Sequence, residues 1–288
     1  MNMAAQPELY AAILARRSVR RYERTPLAVD ELARVREIAA STTPLVPTNR
    51  LVVLMRDVQP DERLVETLGA YGRLVTPPHY LVPYIMGERH PLTDLGYRVE
   101  QIVVRLTMMG LGTCYIGALS REDAVRERFA LPATARVGAL LILGRPAVAW
   151  GGRAFNAAMR RAAGATNKLP AERIFFQDTF DAPATPPADL ARIIEAARQA
   201  PSAVNAQPWR FLWQGGQLYL FVTRRNPRYV GAGSDLYRLY DGGICMGNVA
   251  LALEALGRPG QWELIEETEP GIPAHPPDLQ PLARLSLH

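Results

Sequence analysis

Apolar residues recur at helical spacing in several stretches of this chain. Residues 7–15 carry Leu9, Ile13 and Leu14 on one side, which predicts a short amphipathic helix. A second helix opens near Asp30 and Glu31, with Leu32, Val35 and Ile38 as its stripe; acidic residues in a first turn suit the helix dipole. A long helix over roughly 95–109 places Leu95, Val99, Ile102, Val103 and Leu106 on one face. Short apolar runs at 51–54, 137–143, 210–213 and 283–287 read as strands.

The pattern then repeats. Asp30-Glu31-Leu32-Ala33-Arg34-Val35 resembles Ala188-Asp189-Leu190-Ala191-Arg192-Ile193, with Glu31 and Asp189 standing 158 positions apart. Ile194 and Ala197 continue the second stripe. A Pro-containing loop and a strand follow each helix, then a long helix (95–109 and 242–256) that stops at glycine, then a late strand. The shared order predicts an α+β fold in two tandem copies, each a mainly antiparallel sheet flanked by helices. Residues 1–150 form the first half and 188–288 the second. Residues 151–187, rich in Ala, Gly, Pro and Arg, read as a crossover linker. The segment 72–91 reads as either a lid or a buried strand.

With 288 residues the chain can build a sizeable core. No run of about 20 apolar residues predicts a membrane span, and the N-terminus does not read as a signal peptide. The two cysteines, Cys114 and Cys245, exclude a disulfide framework and fit a cytoplasmic protein. Four scattered histidines and no Cys-x-x-Cys pair argue against zinc. The net charge is +5, nearly all of the positive charge being arginine; Lys168 is the sole lysine. Such an excess favours anionic ligands such as nucleotide phosphates and, equally, nucleic acid.

Two segments carry candidate chemistry. Arg16-Arg17-Ser18-Val19-Arg20-Arg21 follows the first helix. Arginines there are a bidentate phosphate site, a solvated patch at a helix C-terminus, or a nucleic-acid contact. No aromatics interleave with them as stacking platforms, which counts against nucleic acid. Pro201-Ser202-Ala203-Val204-Asn205-Ala206-Gln207-Pro208-Trp209 is more specific. Two prolines stiffen the loop, Trp209 anchors it, and Ser202, Asn205 and Gln207 offer the donors and acceptors that a pyrimidine-dione edge needs. Each half has one segment and lacks the other, which points to one composite site at their junction. Gly110-Leu-Gly-Thr-Cys-Tyr-Ile-Gly117 follows a helix and lacks the dinucleotide glycine order, so its glycines read as permitting close backbone approach. Cys114 reads as a small buried thiol.

Together these motifs, with Leu143-Gly144-Arg145-Pro146, resemble the FMN-dependent nitroreductase family, in its fused single-chain form that makes a pseudo-dimer. The resemblance implies FMN as cofactor and NADH or NADPH as co-substrate. Hydride would pass through flavin N5 to a nitroaromatic, quinone or similar small-molecule acceptor. A storage or sequestering protein without turnover, and a flavin dehydrogenase or oxidase of a biosynthetic intermediate, are the alternatives. The resemblance implies that Arg16, Arg17 and Ser18 meet the phosphate and ribityl chain, and that Arg20 lies near the ribityl and pyrimidine side. Tyr115, Ile116 and Gly117 would face N5 through backbone groups, and Lys168 would reach the phosphate. Pro201, Ser202, Ala203 and Asn205 would cover the ring. Thr166 stands where a basic residue is usual, and Ala203 where a second serine is usual. The second half ends its long helix in Arg258-Pro259-Gly260 and has no Tyr-Ile-Gly, so a second FMN site is expected to be lost. No catalytic side chain, metal, nucleic acid or membrane is implied. A monomeric pseudo-dimer or weak homo-oligomer is expected.

Overall fold

The computed structural model describes residues 5–59, 62–162, 167–231 and 233–287. The first half runs α1 (Pro7–Ala15), α2 (Val29–Ala40), β1 (Arg50–Asp57), α3 (Leu64–Leu68), β2 (His79–Met86), α4 (Pro91–Met108), β3 (Gly112–Gly117), α5 (Glu122–Arg128) and β4 (Ala139–Gly144). Next come α6 (Trp150–Ala162) and β5 (Phe175–Gln177). The second half runs α7 (Ala188–Gln199), β6 (Trp209–Gln214), β7 (Gln217–Thr223), α8 (Tyr237–Leu256), β8 (Gly260–Leu264) and β9 (Leu279–Leu287).

The duplication is visible in the topology. The first sheet has the order β1-β2-β4-β3 and the second β5-β6-β7-β9-β8. Without β5 the two orders are the same, all antiparallel. In both halves a helix precedes the first strand and the long helix joins the second strand to the third. The loops before β1 and β6 are tied down alike. Leu45 donates its N–H to Asp94 of α4 at 2.8 Å, and Ala203 donates its N–H to Asp241 of α8 at 3.0 Å. Both carboxylates are buried.

The long helices α4 and α8 bind the halves together. A Cβ on Gly96 would lie 2.1 Å from the Tyr240 carbonyl oxygen, and one on Gly243 2.0 Å from that of Thr93. Glycine at the crossing therefore lets two backbones touch. Around it one continuous core draws on both sheets and both helices, with Leu95, Ile102, Leu141, Ile193, Trp209 and Met246 among its members. Burying side chains of this size contributes roughly 1.5–3 kcal/mol each, before the entropy of ordering them.

Two expectations change. The described residues of the stretch read as a linker, 151–162 and 167–187, carry α6 and β5. Asn156 on α6 accepts the Arg20 and Arg21 N–H groups at 2.8 and 3.0 Å. β5 joins the second sheet parallel to β6, with Phe175 opposite Phe211. Three residues make a weak ladder; the fully buried Ile174 and Phe175 hold it in place. Within the segment 72–91, His79–Met86 forms β2, a largely buried strand inside the first sheet between β1 and β4. No helix among the described residues is long and apolar enough to cross a membrane.

Candidate functional site

The basic run leaves α1 and zips onto β3. Ser18 bridges Thr113 in parallel, and the Val19 N–H donates to the Thr113 carbonyl at 2.8 Å. A Cβ on Gly112 would fall 2.7 Å from Val19, so this glycine makes room for the run. The anchoring leaves Arg16 and Arg20 buried while Arg17 is exposed. Arg17 donates to the carbonyls of Leu14 and Arg16. The Ser18 hydroxyl bonds to Cys114, whose thiol burial pushes up. Among the described residues, Arg16 Nε and Arg20 Nε and Nη1 are buried with no hydrogen-bond partner. Leaving a buried charged donor unbonded costs on the order of 1–3 kcal/mol or more.

Arg16 faces Glu100 of α4 across 4.0 Å. Glu100 is fully buried, and its Oε2 accepts the Tyr115 hydroxyl at 2.6 Å. Burial pushes its carboxyl up to about 7, against the opposing pull of Arg16. Burial likewise lifts the Tyr115 phenol. Lys168 completes the group. Its ammonium donates to the Ala200 carbonyl at 2.5 Å. Burial, then the like charge of Arg16, holds it down to about 7. Burial, Arg16 and Arg160 of α6 also lower Arg17. Arg16 and Lys168 thus share one buried carboxylate, and Arg17 adds like charge beside Lys168, an arrangement that favours an added anion.

The Pro201–Trp209 loop reaches this cluster through the Lys168 segment. Asn205 Nδ2 donates to the Asn167 carbonyl at 3.0 Å. Gln207 accepts the Leu169 N–H at 2.9 Å and donates to the Asn167 carbonyl at 3.0 Å. In the structure these amides hold the segment that carries Lys168. Ser202 Oγ accepts the Gln207 N–H at 2.9 Å, and Ala203 is fixed by Asp241, which also accepts the Tyr229 hydroxyl at 2.8 Å. Burial pushes Asp241 up to about 7. Trp209 is fully buried, as expected of an anchor. Val204 is 58% exposed at φ 48°, and Asn205 and Gln207 also have positive φ. A β-branched residue held left-handed stores strain, of order 1–3 kcal/mol, of the kind found at functional sites.

The structure therefore gathers Arg16, Arg17, Tyr115 and Lys168, and links Asn205 to them through Asn167. Arg20 and Ser18 lie on the same strand-like run, and Pro201, Ser202 and Ala203 in the joined loop. The Ile116 side chain is core, packed in the cluster with Val19, Val82 and Ile142. Gly117 is exposed, and a Cβ there would meet the Tyr237 hydroxyl at 2.4 Å; that contact accounts for the glycine. Thr166 lies outside the described residues. The sequence reading missed Glu100, Asn156 and Asp241. Glu100 was detectable as a lone carboxylate amid Val99, Ile102 and Val103, and Asp241 as the match of Asp94, 147 positions on. The cluster is one-sided. Gly247 takes the place of Glu100 in α8, and before α7 the chain has buried Ile174 and Phe175 where the basic run precedes α2.

A solved structure of a putative nitroreductase from Thermotoga maritima resembles the chain with a TM-score of 0.58 and 19% identity, over 97% of this chain and 93% of that one. Nitroreductase A from Vibrio parahaemolyticus aligns over 49% of this chain and 68% of its own, with a TM-score of 0.43 and 21% identity. No curated protein matches the chain. The family model described as putative TM nitroreductase matches residues 8–229. From that match, together with a fold shared end to end with the Thermotoga protein, it follows that this chain belongs to the TM-type nitroreductase family.

Proposed function

We propose that this chain is an oxidoreductase that binds FMN. When bound, the flavin would supply hydride transfer from NADH or NADPH, through N5, to a nitroaromatic, quinone or similar small acceptor. The observation that carries the reading is the crowded cation cluster at the junction of the halves: Arg16 and Arg20 with unbonded buried donors, and Lys168 destabilised as a cation. A phosphate dianion fits this donor set, since guanidinium groups bind it bidentately and it offsets the surplus charge.

In this assignment Arg16, Arg17, Ser18 and Lys168 hold the phosphate, and Arg20 serves the ribityl and pyrimidine side. Backbone groups of Tyr115, Ile116 and Gly117 line the N5 region. Pro201, Ser202, Ala203 and Asn205 form the cover. Glu100 keeps Arg16 and the Tyr115 hydroxyl in position, and Asn205 and Gln207 hold Lys168 in reach. One chain supplies both parts, so the reading needs no second subunit. A sequestering role with a lid over the nicotinamide site has no support from residues 72–91, which form β2 and its flanks.

The test is anaerobic titration of FMN-loaded protein with NADPH and with NADH. Bleaching of the oxidised flavin by one or both, and recovery on adding a quinone, is expected. Protein that binds FMN yet stays yellow with both nucleotides would contradict turnover.

A further inference from the structure

The two halves differ at one edge. In the second sheet β5 covers the outer edge of β6. The Phe211 N–H donates to the Ile174 carbonyl at 2.7 Å, and the Asp178 N–H donates to the Trp213 carbonyl at 2.9 Å. In the first sheet the matching edge is β1, and no strand among the described residues pairs with it. With the 158-residue offset, Val53 corresponds to Phe211 and Met55 to Trp213. The Val53 N–H therefore points outward. Its partner on β2 is Pro83, which has no N–H to give, as fits a pair that does not hydrogen-bond across the ladder. Among the described residues, the Met55 carbonyl accepts from its neighbour's guanidinium, Arg56 Nη1 at 3.2 Å.

Beside this edge lies an apolar groove of about 210 Å³ between α2 and β1, lined by Val35, Ala39, Leu51, Val53, Met55 and Arg36. A cavity of roughly 150 Å³ already accepts a benzene ring. In the second half the corresponding Ile193, Ala197, Trp209 and Phe211 are fully buried, closed over by Ile174 and Phe175. In the first half Leu51, Val53 and Met55 remain half-exposed. An open edge with an apolar face is a liability that proteins ordinarily cover.

We propose that β1 and this groove dock an extended acidic segment of a partner protein, running parallel to β1 with a large apolar side chain opposite Val53. The chain's own β5 is the template for direction and register. Charge selects the flanks. Arg50 and Arg56 are exposed on the face of β1 away from the groove, three residues either side of Val53. Carboxylates three before and three after the apolar anchor would stand opposite them. A second copy pairing edge to edge about Val53 would instead set Arg50 against Arg56, a like-charge contact that disfavours this occupant.

The segment of residues 171–178 has the required pattern, with Glu172 and Asp178 three positions either side of Phe175. It serves as the probe: a fluorescent peptide of that sequence, titrated into the full chain by anisotropy. Saturable binding is expected, weakened by salt. Val53→Pro removes the outward N–H without touching the β1–β2 ladder, so affinity falls by at least about tenfold at unchanged melting temperature. Arg50→Glu with Arg56→Glu abolishes binding, and a peptide with lysines at both flanks restores it. No binding, or binding indifferent to Val53→Pro, overturns the proposal; the latter would mean exchange with the resident β5. Dimers in sedimentation velocity that Val53→Pro dissociates would assign the edge to a second copy and overturn it as well.

Discussion

Lys168 offers the sharpest test of the cation cluster, because the chain has no other lysine. Its Nζ is buried against the Ala200 carbonyl and shares the site with Arg16 and Arg17. Burial first, and Arg16 next, bring its titration down from 10.5 to about 7. That difference corresponds to about 5 kcal/mol of disfavoured charging. A phosphate dianion at the cluster favours the ammonium form, so binding should return the midpoint toward its ordinary value. It follows that at pH 8 the free protein is largely neutral at Lys168 and takes up close to one proton on binding FMN. Affinity should fall as pH rises above about 7, by up to about tenfold per unit. The assay is NMR of protein labelled at lysine Cε, which gives one side-chain resonance. A midpoint near 7 without ligand, raised by FMN, is the expected result. Arg16→Met should raise the ligand-free midpoint, since Arg16 lowers it. A ligand-free midpoint near 10, or one that FMN leaves unmoved, would refute the reasoning.

Three further outcomes follow from the same geometry. Gly96→Ala and Gly243→Ala each drive a Cβ into a backbone carbonyl of the opposite helix; each should cost about 3 kcal/mol or more in urea unfolding, and unchanged stability would disprove the crossing. Val204→Gly frees a left-handed β-branched residue and should stabilise the protein by about 1 kcal/mol, whereas a loss of that size would show no strain there. Glu100 titrates near 7 folded against 4.5 unfolded, so the folded state keeps its proton longer. Its contribution is present below about 4.5 and lost as pH rises to about 7, on the order of 3 kcal/mol. Glu100→Gln should remove that slope, and parallel stability curves for the two proteins would rule it out.

The α+β class, the tandem halves and the two long helices were legible because each rests on apolar periodicity over ten or more residues, or on its repetition. α6 and β5 were not. α6 has Gly151 and Gly152 in its first turn, poor helix formers that masked it. β5 spans three residues and owes its existence to the burial of Phe175 against a strand 36 positions later, a contact that no local pattern announces. The site divides in the same way. Arg16, Arg17 and Lys168 stood out by charge, and the structure gathers them. Asn205 and Gln207 stood out by polarity, yet their amides hold the Lys168 segment. Residue type told that these groups bond; only the fold told to what. Asn156 carried no signal, since its role is to accept two N–H groups of a run 135 positions earlier.

The central claim is that both halves build a single anion-binding flavin site. Its most direct measurement is the FMN stoichiometry of the purified chain, by titration followed through quenching of flavin fluorescence. One FMN per chain is expected, with binding lost in Arg16→Met/Lys168→Met. Two FMN per chain would contradict the one-sidedness of the cluster, and none would contradict the site itself.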